Sequence, residues 1–169
     1  MKQEAMNVLL TRRSVRQYQA RQVSEQELDQ VLQAGLYAPT GKNVQGVELV
    51  AVQEKKLRDR LAALNKSFWD KDMDPYYGAP TIILVLADTV RYTWVEDGSC
   101  ALCNMLNAAM HWGWAPAGST ASGRCSTRKR GRRTSGSGAF PRVCGVWAAL
   151  PWATLRARNS GPCPGRTAG

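Results

Sequence analysis

Ala38-Pro39-Thr40-Gly41-Lys42-Asn43-Val44-Gln45 leads, through Gly46, into Val47-Glu48-Leu49-Val50-Ala51-Val52. Pro39 and Gly41 break any helix arriving from upstream, so the first eight residues read as a loop. The six that follow read as a β-strand. Upstream, Ser24-Glu25-Gln26-Glu27 is a capping box, in which the Ser side chain takes one orphan N–H and the Glu reaches back to another. Leu28, Val31, Leu32 and Leu36 then recur at helical spacing, predicting a helix to about Tyr37. A short helix over 3–11, with Ala5, Val8 and Leu9 on one side, precedes it. Downstream, Lys55 to Leu64 reads as an amphipathic helix with Leu57, Leu61 and Leu64 inward, and Pro75-Tyr76-Tyr77-Gly78-Ala79-Pro80 as a loop. Thr81 to Ala87 is a continuous apolar run of strand length, expected to be buried on both faces. Arg91 to Ala109 reads as a helix apolar on much of its surface, which suits the centre of a core or a subunit contact. Helices alternating with strands make a layered α/β or α+β domain.

The 169 residues suffice for one domain with a core and are too few for two ordinary ones. A net charge of +10 invites a nucleic-acid reading, but its distribution argues otherwise. Residues 1–109 carry 13 Lys/Arg and 13 Asp/Glu, whereas residues 110–169 carry 10 Lys/Arg and no acid. The excess therefore sits in a Gly-, Pro-, Ser- and Arg-rich tail without sustained helical or strand period. That tail holds four of the six tryptophans, unlike an ordinary disordered extension. The five cysteines are odd in number and form no paired framework, which predicts reduced thiols and a cytoplasmic setting. Met1-Lys2-Gln3-Glu4 lacks the apolar stretch of a secretory signal, and the apolar runs are strand-sized, too short to span a membrane.

Two groups of residues carry chemistry. Arg12, Arg13, Ser14 and Arg16 lie close enough to converge on one anion, with forked guanidinium donors and a hydroxyl. A solvated basic helix end is the plain alternative. Pro39, Thr40, Asn43 and Gln45 form the second group; their amides offer both donors and acceptors, matching the alternating edge of a flavin pyrimidine. Ordinary turn chemistry is the alternative there. Cys100 and Cys103 form a lone CxxC inside the apolar helix, expected to be small buried residues rather than a metal site. His111, the single histidine, has no triad partner, and no catalytic side chain is assigned.

The whole order is helix, Arg-Arg-Ser-x-Arg, capped helix, Ala-Pro-Thr-x-x-Asn-x-Gln, strand, then Pro-Tyr-Tyr-Gly-Ala-Pro before an apolar strand. Over residues 3–109 it resembles the nitroreductase family of FMN enzymes. The resemblance implies an α+β fold, a mixed sheet flanked by helices in three layers, and a homodimer with FMN at its interface. It implies that Arg12, Arg13, Ser14 and Arg16 bind phosphate, ribityl and pyrimidine groups from one subunit. Pro39, Thr40 and Asn43, with Gln45, would line the flavin from the other. It further implies ping-pong transfer: NAD(P)H gives hydride to the flavin, leaves, and is replaced by a small-molecule acceptor such as a nitroaromatic or quinone. One departure is Gly46-Val47 where the family often has Pro-Trp, which leaves the shape of the substrate pocket open.

The resemblance stops near Met110, dividing the chain into an FMN-binding region over 1–109 and an aberrant tail over 110–169. The family continues the last helix into a turn like G-x-G-S-C-W. The chain instead reads Met110-His111-Trp112-Gly113-Trp114-Ala115-Pro116-Ala117-Gly118. Joining the third base of each codon to the first two of the next changes this. Met-His then forces Ala, His-Trp forces Leu, and Trp-Gly and Trp-Ala each force Gly. With permitted third bases the shifted frame reads H-A-L-G-V-G-S-C-W-I-H, as the family would. The tail is therefore expected to arise from one lost base. A chain so truncated buries less apolar area, and it is expected to fold poorly and to bind FMN weakly or not at all, with its activity left open. The competing reading is a nucleic-acid-binding protein whose basic tail contacts phosphates while Trp112, Trp114, Trp147 and Trp152 stack on bases.

Overall fold

The computed structural model describes residues 2–66, 72–114 and 146–152, the last as backbone. The expectations for the remainder of the tail, including Cys125, Cys144 and Cys163 and the side chains of Trp147 and Trp152, lie outside the described residues. The elements are α1 (Lys2–Thr11), α2 (Glu25–Leu36), β1 (Val47–Val52), α3 (Lys55–Lys66), β2 (Thr81–Ala87), α4 (Trp94–His111) and β3 (Val146–Trp152).

The three described strands form one sheet in the order β1-β2-β3, with both pairs antiparallel. Val47 faces Ala87 and Val52 faces Ile82 across the first pair. Alternation along β1 and β2 sends their side chains to opposite faces. Val47, Leu49, Ala51, Ile83 and Val85 meet Val31, Ala101 and Met105 of α2 and α4 on one face. Val50, Val52, Ile82 and Leu84 meet Leu61 and Ala62 of α3, with Tyr76, on the other. The sheet is thus sandwiched between helices, an α+β fold in three layers. β2 is its middle strand, with Ile82, Ile83, Val85 and Ala87 fully buried. Burying each large apolar side chain contributes on the order of 1.5–3 kcal/mol, so this strand anchors both cores.

Several expectations are corrected. The tail shows no sustained strand period in its sequence, yet Val146–Trp152 pairs with β2, Thr81 facing Trp152 and Leu86 facing Val146. Strand pairing draws on main-chain donors and acceptors, so it needs no alternating side-chain pattern. In α3, Leu57 and Leu64 were expected inward and are 42% and 52% exposed. The helix turns Ala62 and Asn65 inward instead, and the Asn65 amide donates to the buried Tyr76 hydroxyl at 2.5 Å. A buried phenol needs a partner, and supplying one fixes the rotation of the helix.

In α4 the buried positions are Asp97, Gly98, Ala101, Met105 and Ala109, a stripe at helical spacing. Cys103 lies off that stripe and is exposed, contrary to the expectation of a buried thiol, while Cys100 is half-buried. α4 starts at Trp94 rather than Arg91, because residues 91–94 form a turn with Trp94 N–H donating to the Arg91 carbonyl. It also runs past Met110 to His111. On α1, the side carrying Ala5, Val8 and Leu9 has Val8 half-buried and the other two exposed, and Met6, Leu9 and Leu10 are all more than half exposed.

Candidate functional site

The capping box predicted for α2 is present. Ser24 Oγ accepts from Glu27 N–H, and the Glu27 carboxylate accepts from Ser24 N–H at 3.1 Å. The helix it starts ends at Leu36 and delivers the chain to the Pro39–Gln45 loop. Gly41–Asn43 make a single 3-10 turn, in which Asn43 N–H donates to Thr40 O and Val44 N–H to Gly41 O. Lys42, Asn43 and Gln45 all take left-handed backbone angles, φ 53°, 55° and 54°. Such residues cost roughly 1–2 kcal/mol each when they are not glycine, and persist only where the surroundings hold them. Two contacts do so from within the loop and its exit. Thr40 Oγ1 accepts from Gln45 N–H at 3.0 Å, and Gly46 O accepts from Asp88 N–H at 2.9 Å. The result is a rigid loop with Pro39, Asn43 and Gln45 exposed and Thr40 half-buried.

The cationic group follows the C-terminus of α1, where positive charge is favoured by the exposed carbonyls. Arg13 is committed there: its Nη1 donates to the Leu10 carbonyl at 3.1 Å and the Arg12 carbonyl at 2.8 Å. Arg12 is half-buried, while Arg13, Ser14 and Arg16 are exposed. The Arg16 guanidinium lies 5.7 Å from the centre of the Tyr77 ring, a cation–π contact that ties this segment to the loop before β2. Beside it, burial pushes the Tyr18 phenol well above its ordinary range, Tyr77 adds to the rise, and Arg16 opposes it. Its hydroxyl donates to the Val15 carbonyl at 2.6 Å. Among the described residues, no carboxylate pairs with Arg12, Arg13 or Arg16.

Sequence reasoning missed three groups that shape the site. Tyr77, at φ 54°, supports Arg16. Asp74 holds the Tyr77 turn by accepting from Tyr76 N–H and Gly78 N–H, and pairs with Arg58. Asp97, buried in α4, accepts from Gly41 N–H at 2.8 Å. Its signal was legible: a lone acid on the apolar stripe of a helix must have an internal partner. No cluster that would hold a metal ion occurs among the described residues. No described helix is long and apolar enough to cross a membrane.

A flavin mononucleotide needs a cationic clamp for its phosphate and amide or backbone partners for its ring edge. Three arginines without carboxylate partners among the described residues, and a hydrogen-bonded loop with exposed Asn43 and Gln45, fit those two needs. Within one chain the two groups stand on separate elements, the first after α1 and the second between α2 and β1.

The structure is a layered α+β domain with a cationic segment after α1 and a loop of left-handed residues before β1. The sequence profile of the nitroreductase family matches residues 9–118, and the chain belongs to that family. A protein from Archaeoglobus fulgidus, provisionally named an NADH dehydrogenase/NAD(P)H nitroreductase, is 30% identical over 110 residues, covering 63% of this chain and 62% of that one. A protein of the same name from Methanothermobacter thermautotrophicus is 28% identical over 116 residues, covering 64% and 56%. The chain thus matches about three fifths of the length of these curated relatives. Among solved structures, a nitroreductase with bound FMN from Bacteroides fragilis superposes with a TM-score of 0.78 at 22% identity, over 98% of this chain and 95% of that one. Another nitroreductase with bound FMN, from Desulfitobacterium hafniense, gives 0.76 at 19% identity, over 96% and 94%. At these identities the likeness speaks for the fold.

Proposed function

We propose that this protein is an FMN-dependent oxidoreductase passing reducing equivalents from NAD(P)H to a small nitroaromatic or quinone-like acceptor, as a cytoplasmic homodimer. The observation that carries the reading is the group Arg12, Arg13 and Arg16, none of which pairs with a carboxylate among the described residues, together with the Pro39–Gln45 loop. Bound FMN supplies the hydride and electron chemistry, and the chain supplies binding, orientation and charge. Arg12, Arg13, Ser14 and Arg16 neutralise and grip the phosphate and ribityl end. Thr40, Asn43 and Gln45 offer hydrogen bonds to the ring edge, and Pro39 gives it an apolar contact. Arginines near the flavin would also favour its anionic reduced form. Relatives named NAD(P)H nitroreductases support the choice of donor. The exposed apolar residues of α1, Met6, Leu9 and Leu10, support a subunit contact there. The test is NADH and NADPH consumption with FMN and an added acceptor. Flavin binding without turnover would make the protein a flavin carrier rather than an enzyme.

The division at Met110 belongs to the same proposal: residues 1–109 form the FMN-binding region, and the tail is read in a shifted frame. With one base lost by codon 109, the restored reading places Ala at 111, Leu at 112 and Gly at 113. Gly113 is the left-handed residue, φ 74°, that closes α4, and glycine stands there in both frames. Trp114 is buried in the larger core. The third base of a glycine codon followed by the first two of Trp gives only Val, Leu or Met, so the buried slot stays apolar. The close of α4 is therefore compatible with the restored frame, and the missing acids of the tail favour it. The basic tail as a nucleic-acid binder has no supporting contact among the described residues; loss of a salt-sensitive gel shift on deleting 110–169 would favour it.

A further inference from the structure

Asp97 is a buried carboxylate, 5% exposed. Its Oδ1 accepts from Gly41 N–H at 2.8 Å and its Oδ2 from Thr93 Oγ1 at 3.1 Å, and among the described residues no cation pairs with it. A buried charge is kept where it is hydrogen-bonded and favourably placed, and Asp97 lies in the first turns of α4, where the helix dipole favours an anion. What it grips is distant in sequence. Gly41 opens the 3-10 turn whose next residues, Lys42 and Asn43, are left-handed, with Gln45 left-handed just beyond. Thr93 closes the clamp from the other side, leaving no room for a β-carbon at Gly41. The loop is thus fastened at its start by Asp97, across it by Thr40 and at its end by Asp88.

We propose that Asp97 is a positioning residue: through Gly41 it holds the Thr40–Gln45 loop in the shape that presents Asn43 and Gln45 to the flavin, a role that rests on the FMN reading above. It touches neither flavin nor substrate. Thr93 assists by orienting the carboxylate. Because the role is hydrogen-bond geometry, an isosteric amide at position 97 serves nearly as well, since its carbonyl oxygen still accepts from Gly41 N–H.

The experiment uses the 169-residue chain and two readouts. The first is limited trypsin cleavage after Lys42, which is exposed within the loop, relative to cleavage after Arg60, exposed on α3. The ratio separates loop release from general unfolding. The second is FMN affinity by fluorescence quenching. Asp97→Ala is expected to raise the cleavage ratio about tenfold and weaken FMN binding at least as much, the loss of a charged hydrogen bond. Asp97→Asn should restore both most of the way. Should Asp97→Ala be cut at both sites together, Thr93→Val decides by the same ratio, with a smaller rise expected. An unchanged ratio with Arg60 cleaved at its parental rate overturns the proposal, as does a raised ratio with parental FMN affinity. Should the parent chain show no saturable FMN binding, the titration is repeated in the frame-restored protein; no binding there either overturns the flavin reading alone, and the cleavage ratio still decides whether Asp97 holds the loop.

Discussion

Gly41 packs so closely on Thr93 that a β-carbon on the glycine would collide with the threonine hydroxyl oxygen. Threonine at the approach to α4 and glycine in the candidate flavin loop are therefore one fitted pair. Gly41→Ala must push the loop away from α4, an overpacking that costs roughly 1–3 kcal/mol. FMN affinity is expected to fall about tenfold or more, with thermal stability lowered by only a few degrees. Equilibrium titration beside a thermal melt checks this; a variant that binds FMN as well as the parent removes the loop from the site.

The cations test the phosphate end. Replacing Arg12 or Arg16 with Ala should weaken FMN by roughly 10- to 100-fold, the range for charge-assisted hydrogen bonds. Riboflavin, which lacks the phosphate, should lose much less. Arg13→Ala should also lower helix stability, because Arg13 caps the carbonyls of Leu10 and Arg12. Equal losses for FMN and riboflavin in every variant would place the phosphate elsewhere.

Asp74 sets an acid limit. Burial raises its pKa, but the Tyr76 and Gly78 N–H groups and the Arg58 guanidinium outweigh it and hold the carboxyl below its ordinary 3.8. A depressed pKa contributes stability that is present above 3.8 and is lost as pH falls through the folded value. Asp74→Asn should lower stability at neutral pH and flatten the fall in stability below about pH 4. Denaturant melts of both proteins from neutral to acid pH check this, and parallel curves would deny Asp74 that role.

Sequencing the DNA from the codon for Asn104 to that for Thr120 tests the seam. One additional base, restoring G-x-G after α4, is the expected finding. An unbroken frame matching the chain would make the tail genuine.

Much of the fold was legible because it rests on local signals. The Ser24–Glu27 box, the break at Pro39 and the limits of β1 and β2 all read directly from residue order. The rotation of α3 was not legible, since Asn65 is drawn inward by a Tyr76 hydroxyl from a distant loop. The pairing of Val146–Trp152 with β2 was hidden for a related reason: it depends on the backbone of another strand. At the site, the residues that offer donors were visible in the motifs. The residues that hold them, Asp97, Thr93 and Tyr77, come from other elements, and only the folded chain brings them to Gly41 and Arg16.

The proposed function has the Arg12–Arg16 cations and the Thr40–Gln45 loop hold a flavin reducible by nicotinamide. Its most direct test is anaerobic mixing with NADH or NADPH at saturating FMN, in the 169-residue chain and in the frame-restored protein. Saturable flavin binding, weaker in the 169-residue chain, followed by bleaching of the flavin's visible absorbance, is the expected result. No saturable FMN binding in either protein, or bound flavin that neither nucleotide bleaches, would contradict it.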